Sequence, residues 1–185
     1  MKNKYTTLFV VLFLFLQGCK ENILPKPKAM LRLEYPEAET NSLQTAYFSF
    51  NYNTLAKVNK KGNTSLTLDY PSLKGSIFIN YKVVDGNLNG LLSDAQKFSY
   101  EHVIKADNIV EQPFINPEQK VYGMYYEVKG DAASQSQFYV TDSTSHFVTG
   151  SLYFYAKPNY DSILPVAAYL QNDIRSIMET LQWTK

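Results

Sequence analysis

The chain has 185 residues and is nearly neutral, with 18 basic and 17 acidic side chains and a formal net charge of +1. This balance excludes a strongly basic surface of the kind that neutralises nucleic-acid phosphates, so no nucleic-acid partner is expected. A single Cys excludes an intrachain disulfide, and 15 Tyr with 11 Phe favour aromatic packing on sheet surfaces.

The first nineteen residues have the layout of a signal peptide. Lys2 and Lys4 precede an apolar run from residue 8 to residue 16, and this run is far shorter than the roughly 20 residues that span a bilayer as a helix. The ending Leu16-Gln17-Gly18-Cys19 resembles the lipobox of bacterial lipoproteins, in which the cysteine is acylated and becomes the first residue of the mature chain. We therefore predict that residues 1–18 are removed and that Cys19 is the lipidation site.

The alternative for this segment is an ordinary secretory signal cleaved nearby, which would leave Cys19 as a free thiol. We favour acylation of Cys19, because a free thiol on a secreted protein would be exposed and reactive, whereas two or three acyl chains on one residue form a durable membrane anchor. Loss of Lys2 and Lys4 would leave the mature chain one acidic side chain in excess.

Residues 19–29 are predicted to form the acylated cysteine and a Pro/Lys-rich tether. Pro25 and Pro27 favour an extended conformation, in which the ten residues 20–29 reach about 30 Å at most. The remaining residues, 30–185, have the length of a single globular domain.

Seven segments of this domain have the alternation or the β-rich composition of strands. They are residues 30–35, 46–51, 65–70, 76–83, 121–128, 136–141 and 147–156. The polar stretch 142–146 is suited to a hairpin loop between the last two, and Gly150 is predicted to mark a bulge or bend.

Two segments have helical periodicity. Ser93 and Gln96 have the spacing of a capping box and precede an apolar face, which predicts a helix over 94–106. A longer apolar stripe from Ile163 to Leu181 predicts a C-terminal helix, with Asp161 or Asn159 as its N-cap and Pro165 near its first turn. Together these elements predict an α+β fold, in which two main helices cover an antiparallel sheet of about six to seven strands, the second helix being C-terminal.

The chain offers no convincing catalytic or metal-binding set. Its two histidines, His102 and His146, lie in separate elements, and no Cys is available to complete a zinc site. The Asp, Ser and His of residues 142–146 are the ingredients of a hydrolase, but their adjacency favours a turn. Residues 85–90 lack the spacing of a calcium loop and are better suited to a turn entering the first helix. No catalytic residue, metal or cofactor is predicted.

The aromatic side chains could form a recognition surface. Tyr and Phe are favoured in interface cores, and the alternative is that helices cover both faces of the sheet. The tyrosines that we predict for an interaction surface are Tyr122, Tyr125, Tyr126, Tyr139, Tyr153 and Tyr155.

Several short segments, which follow one another in the same order along nearly the whole mature chain, are similar to segments of a known family. They are Pro25-Lys-Pro-Lys28, Leu31-Arg-Leu-Glu-Tyr-Pro36, Tyr100-Glu-His-Val-Ile-Lys-Ala-Asp107, Val121-Tyr-Gly123, Gly130-Asp-Ala-Ala133, Tyr139-Val-Thr-Asp-Ser-Thr144 and Lys157-Pro-Asn-Tyr-Asp-Ser-Ile163. In these the chain resembles the gliding motility lipoprotein GldD family.

The resemblance implies an envelope lipoprotein of gliding bacteria that is required for surface movement and is associated with the type IX secretion machinery. The only residue to which the resemblance assigns a chemical role is Cys19, as the acylated cysteine; it implies no catalytic residue. Thr45 and Thr64 stand near places where other members hold cysteines, so no disulfide transfers. The expected partners are the membrane, through the lipid, and proteins of the gliding and secretion apparatus.

The expected function is that of a non-enzymatic accessory lipoprotein anchored to the outer membrane. Surface-exported lipoproteins of this kind carry an acidic tag just after the cysteine, and here Glu21 is the one acid in residues 20–22, so we expect the protein to face the periplasm. The alternative is a small-molecule binding module, for a glycan or a lipid, that uses the aromatic cluster as a stacking surface.

Overall fold

The computed structural model of the chain describes residues 35–37, 39–101, 105–155 and 160–184. In this part the strands are β1 (Thr40–Gln44), β2 (Phe48–Asn53), β3 (Lys57–Lys61), β4 (Ser65–Tyr70), β5 (Gly75–Val83), β6 (Ala106–Asn116), β7 (Val121–Gly130), β8 (Ser134–Thr141), β9 (His146–Phe154) and β10 (Gln182–Trp183). The helices are α1 (Leu88–Tyr100) and α2 (Tyr160–Thr180), and a short 3-10 helix (Pro71–Leu73) joins β4 to β5.

Seven strands form one antiparallel sheet in the order β3-β4-β5-β9-β8-β7-β6. Two meanders, β3-β4-β5 and β6-β7-β8-β9, meet at the long β5–β9 pairing. Helix α1 connects the end of β5 to β6 at the far edge of the sheet, and on the way it crosses one face. A smaller sheet, β1-β2-β10, is separate from the large one.

The main hydrophobic core lies on one face of the large sheet, which we call the core face. Helix α2 and the small sheet cover it, so that Phe48, Phe50, Leu170 and Ile174 pack against strand side chains that alternate inward. The strand side chains buried there include Leu66, Leu68, Ile77, Ile79, Phe138, Val140, Val148 and Leu152.

The opposite face, which we call the cleft face, is covered only in part. Helix α1 rests on it through a small second cluster made by Leu91, Val84 and Phe147, with Leu88, Leu92, Ala95 and Tyr139 packed around them. Since this cluster occupies one end of the helix and of the sheet, no aliphatic cluster of the described residues covers the centre of the cleft face.

The described domain is fastened at its beginning to α2. The ring of Tyr35 stacks on that of Tyr169 with centroids 4.7 Å apart, and the Tyr169 hydroxyl donates to the Pro36 carbonyl at 3.0 Å. Asn53 Nδ2 donates to the buried Asp173 carboxylate at 3.1 Å and lies 3.0 Å from the Tyr169 hydroxyl. Burial raises the pKa of Asp173 above its ordinary value, and its hydrogen bonds only partly oppose this effect.

The structure confirms the α+β fold, with a seven-stranded antiparallel sheet and a second main helix at the C-terminus. Residues 65–70 form β4 as predicted, and the other strands predicted between residues 46 and 156 correspond to β2, β5, β7, β8 and β9 within a few residues at each end. The hairpin between β8 and β9 at 142–146 and the turn before α1 are also confirmed.

Several details of the prediction were wrong. Helix α1 begins at Leu88 and ends at Tyr100, so Ser93 lies inside it and caps nothing, while residue 106 already belongs to β6. Gly150 sits in regular register on β9 and marks no bulge. Instead, the ring of Phe138 occupies the space where a side chain at Gly150 would stand.

Of the two N-cap candidates for α2, Asp161 is wrong, because it lies inside the first turn. The Tyr160 N–H donates a hydrogen bond at 2.8 Å to the carboxylate of Asp131, a residue distant in sequence. Pro165 lies inside the helix beyond this turn. Among the described residues, no helix combines the length and the apolar character needed to cross a membrane. Cys19, the N-cap candidate Asn159, and all but Tyr35 of the strand predicted at 30–35 lie outside the described residues.

Candidate binding cleft

A half-open cavity of about 600 Å³ lies between α1 and the cleft face. Its volume falls within the 300–1,000 Å³ range that is typical of small-molecule sites. The cavity exists because α1 stands over the middle of the sheet, where the residues facing it have small or polar side chains. Those residues come from β5, β8 and β9, the strands at the centre of the sheet.

The floor of the cleft consists of two cross-strand rows. In the first row Asn80, Thr149 and Tyr139 are register partners on β5, β9 and β8. In the second row the partners are, from β5 through β9 and β8 to β7, Phe78, Ser151, Gln137 and Tyr126. Each row therefore has a polar centre with an aromatic ring at one or both ends.

Aromatic rings form the walls. Phe78 and Tyr153 meet edge to face with centroids 5.8 Å apart, and Tyr139 stacks on Phe147 at 5.6 Å. Phe98 of α1 lines the cleft from the other side. Rings in such offset and edge-on arrangements hold one another in place and leave stable apolar surface toward the cavity.

Gln137 is the most constrained polar residue of the floor. It is only 2 % exposed, and its Oε1 accepts a hydrogen bond from the Ser99 hydroxyl of α1 at 2.8 Å. Its Nε2 has no hydrogen-bond partner among the described residues. If the amide were turned over, Nε2 could donate to Ser99 and Oε1 would be left over, so one amide atom is unpaired in either orientation.

One basic and one acidic side chain line the cleft. Lys82 and Asp94 are the charged residues among the described side chains that line it. Burial raises the pKa of Tyr126 and of Tyr139, and the nearby Glu111 acts in the same direction. These tyrosines are therefore neutral at physiological pH, with hydroxyl groups that can both donate and accept hydrogen bonds.

The six tyrosines predicted as an interaction surface do not share one face. Tyr126, Tyr139 and Tyr153 line the cleft. Tyr125 is on the core face, 3 % exposed, with its hydroxyl 3.1 Å from Ser136 Oγ and Arg175 over its ring.

The other two tyrosines lie outside the cleft. Tyr122 is half-buried on β7 next to the edge strand β6. Tyr155 is 62 % exposed, and its hydroxyl donates to Asp69 at 3.2 Å. The polar floor residues Asn80, Gln137, Thr149 and Ser151 were not predicted, because a polar residue that alternates with apolar ones in a strand is expected to face solvent.

The model of one protein family, described as "gliding motility lipoprotein GldD", matches residues 20–183. The chain belongs to this family. A comparison with curated proteins finds no match. The family-model match confirms the resemblance that the short sequence segments indicated. The GldD family consists of gliding motility lipoproteins, which are proteins of the cell envelope.

The GldD family match begins at residue 20, immediately after Cys19, so it covers the segment predicted to be a tether as well as the described domain. The described part of this GldD-family chain contains no group of three or more His, Cys, Asp and Glu side chains placed to hold a metal ion.

In this GldD-family chain, the residues 142–146 are organised as a turn. The Asp142 carboxylate accepts the backbone N–H groups of Thr144, Ser145 and His146 at 2.8–3.0 Å. The ring of His146 points elsewhere, with Nδ1 2.8 Å from the Tyr81 hydroxyl and with its plane stacked on Trp183 at 5.1 Å. The Asp142 carboxylate thus bonds the backbone of the turn and does not orient the histidine ring.

Proposed function

We propose that this protein is an accessory lipoprotein of the gliding and type IX secretion apparatus, held at the outer membrane by the acylated Cys19 and facing the periplasm. It acts by binding protein components of that apparatus and not by catalysis. The observation that carries the proposal is the GldD family match over residues 20–183, which starts directly after the candidate acylation site.

The shape of the large sheet supports a role in protein binding. Its edge strand β6 is eleven residues long and, within the described part of the chain, pairs only with β7. Edge strands present unpaired backbone N–H and C=O groups, and an extended segment of a partner can add to them as a further strand. A long edge of this kind fits a protein partner better than a small ligand.

Apolar side chains accompany this edge. Ile115 is 69 % exposed and pairs across the strands with Tyr122, while Pro113 pairs with Met124 on the same face. We call these four residues the edge patch. A partner strand paired to β6 would gain hydrophobic contact from the edge patch in addition to backbone hydrogen bonds.

The experiment is a crosslinked pull-down from native membranes of a gliding strain, with tagged wild-type protein and a Cys19→Ala version that cannot be acylated. We expect a defined set of gliding or secretion proteins with the wild type and their loss with Cys19→Ala. Recovery of the same proteins with both versions would contradict a role for the anchor, and recovery of no specific protein with either would overturn partner binding.

A second pair of variants tests the edge strand. Ile115→Asp places a charge in the edge patch and should abolish capture of the partner and gliding. Val83→Asp is the matched control, because Val83 is 57 % exposed but ends β5 in the middle of the sheet, away from β6. Equal loss with both variants, or with neither, would argue against β6 as the docking site.

The proposal that binding, not catalysis, is the activity has its own test. Because His146 is tied up in contacts with Tyr81 and Trp183, His146→Gln should leave gliding intact, provided that the protein accumulates to wild-type levels. Loss of gliding with normal abundance and normal partner capture would instead indicate chemistry at this residue.

A further inference from the structure

The cleft lies on the same face of the large sheet as the edge patch, but no residue of β6 lines it, and it carries the marks of a binding site of its own. Its floor contains an amide, that of Gln137, which is almost fully buried and has one atom unpaired among the described residues. Buried polar atoms in native proteins are almost always paired with a protein group, an ordered water or a ligand, so this amide marks the base of the cavity as a place for a hydrogen-bonding group.

The charges of the lining exclude a strongly charged ligand. Lys82 and Asp94 offset each other, and neither is joined by a second charge of its own sign on the described cleft wall. A phosphate or a carboxylate would bury its charge next to Asp94 without the cluster of Arg or Lys side chains, or the convergent backbone N–H groups, that anion sites use.

The polar groups exclude a purely hydrocarbon ligand. An acyl chain lying along the floor would cover Gln137, Ser151 and Thr149 and offer them no hydrogen-bond partner. Leaving buried donors and acceptors unpaired is costly, and sites built to bond hydroxyl groups discriminate strongly against ligands that lack them.

The arrangement of rings around a polar centre fits a ring-shaped ligand that is apolar on its faces and polar at its rim. Pyranose sugars have this character, since their C–H faces pack on aromatic rings while their hydroxyl groups bond amides and side-chain hydroxyls. Phe78 and Tyr153 supply such a platform, and Gln137, Thr149 and Ser151 supply the polar partners. We propose that the cleft between α1 and the large sheet binds a neutral saccharide.

The site separates into two functions. The rings of Phe78, Tyr139 and Tyr153 provide affinity by contact area, and the paired residues Gln137 and Ser151 fix the orientation of the sugar. Ser99 connects the site to α1, because its hydroxyl lies 2.8 Å from Gln137 Oε1 and 3.1 Å from the Ala95 carbonyl oxygen and can donate its one hydrogen to either. The position of α1 over the sheet and the orientation of the Gln137 amide are therefore linked.

The test measures binding of four neutral trisaccharides, chitotriose, cellotriose, maltotriose and mannotriose, to the full chain in lipid nanodiscs. Nanodiscs avoid sugar-headed detergents that would compete. We expect at least one trisaccharide to bind with a millimolar or tighter dissociation constant by saturation-transfer NMR and calorimetry. Absence of binding by all four at millimolar concentration would overturn the proposal.

Two pairs of variants locate the binding. Ser151→Tyr fills the cavity and should weaken binding about tenfold or more, whereas Ser49→Tyr, on β2 outside the cleft, should not. Thr149→Val is nearly isosteric and removes only a floor hydroxyl, so it should weaken binding about threefold to tenfold while remaining folded. Its matched control is Thr67→Val, on β4 and outside the cleft lining.

The variants also settle what else could occupy the cleft. Binding that is the same in the wild type, Ser151→Tyr and Thr149→Val would place the sugar elsewhere and refute the cleft site. A lipid that copurifies with the wild type, is absent from Ser151→Tyr and is not displaced by the trisaccharides would refute the choice of a saccharide. Neither result would affect the protein-binding test at β6, which uses Ile115 and Val83.

Discussion

At the scale of single residues, two glycines show how closely local geometry is fixed. Gly123 lies where β7 approaches β8, and a Cβ there would stand 1.9 Å from the backbone oxygen of Tyr139. Gly90 lies in α1 with nothing within 4 Å of the same position. The two glycines therefore differ in kind, since one allows a close backbone approach and the other adds only chain entropy to the unfolded state.

We expect Gly123→Ala to lower the free energy of unfolding by about 2–3 kcal/mol or more, because a strand backbone must move to admit the methyl group. Gly90→Ala should instead raise it by up to about 0.5–1 kcal/mol, because alanine is the better helix former. Chemical denaturation of the two variants measures both effects. A mild effect of Gly123→Ala would mean that β7 and β8 can separate easily at this point.

The carboxylate of Asp142 is a second residue whose role can be tested, in this case through pH. Partial burial acts to raise its pKa, but hydrogen bonds from the backbone of Ser145, His146 and Thr144 and from the Thr144 hydroxyl outweigh burial and hold the pKa below its usual range. The folded state therefore favours the ionised form, and the resulting stability is present above about pH 3.9 and is lost as pH falls through the lowered pKa.

Asp142→Asn should lower stability by about 1–2 kcal/mol at pH 7, because a neutral amide is a weaker acceptor for the turn. The difference from wild type should begin to shrink as pH falls below about 4, where the unfolded chain takes up a proton at this position, and should become small once pH has passed through the lowered pKa and the folded wild-type carboxylate is itself protonated. Ser143→Gly is the control in the same turn, since Ser143 has a φ of 68° that glycine adopts more easily. A difference that does not change with pH would mean that the ionised carboxylate is not what stabilises the turn.

At the scale of elements, α2 does most to close the core. Its second half buries Leu170, Ile174 and Ile177 almost completely, whereas Ile163 near its start is only half-buried. Ile174→Ala should lower stability by about 3–4 kcal/mol, and Ile163→Ala by about 1 kcal/mol or less, because the cost follows the volume left empty. Thermal unfolding checks the ratio, and equal costs would contradict the gradient of burial along the helix.

The elements also show which parts of the fold can be predicted from the sequence. The apolar stripe of α2 and the alternating cores of β4 and β5 are local patterns, and these elements were predicted almost where they lie. Strand β6 was missed because Pro113 and several exposed polar residues interrupt its pattern, and its strand character comes from pairing with β7. The start of α1 was misplaced because Ser93 and Gln96 have the spacing of a capping box although both lie inside the helix, which follows Asn87.

The cleft could be predicted only in part, for a related reason. Its rings at Tyr126, Tyr139 and Tyr153 were noted from their abundance, but the sequence does not show that Tyr125 faces the core instead. Gln137 was not predicted, because its burial depends on helix α1, which crosses the sheet above it. The contact is made by Ser99 of that helix, 38 positions away in the sequence. Contacts between elements of this kind are set by topology and not by local periodicity.

At the scale of the whole molecule, the proposed function makes the chain before the described domain important. If Cys19 carries the anchor, as we propose, the segment between Cys19 and Tyr35, which stacks on Tyr169, sets how far the domain can move from the membrane. A short tether keeps the effective concentration of the domain high for partners in the same membrane. Under the proposed function, tether length should therefore matter more than tether sequence.

Inserting twenty Gly and Ser residues between Lys28 and Ala29 should leave the protein folded and in the membrane fraction but reduce gliding speed and capture of partners. The insertion adds about 65 Å of reach at full extension and dilutes the domain over a larger volume. Replacing residues 22–28 by an equal number of Gly and Ser residues is the matched control and should preserve both. Motility assays with membrane fractionation measure these effects, and full gliding with the lengthened tether would show that the partner is not confined to the surface of that membrane.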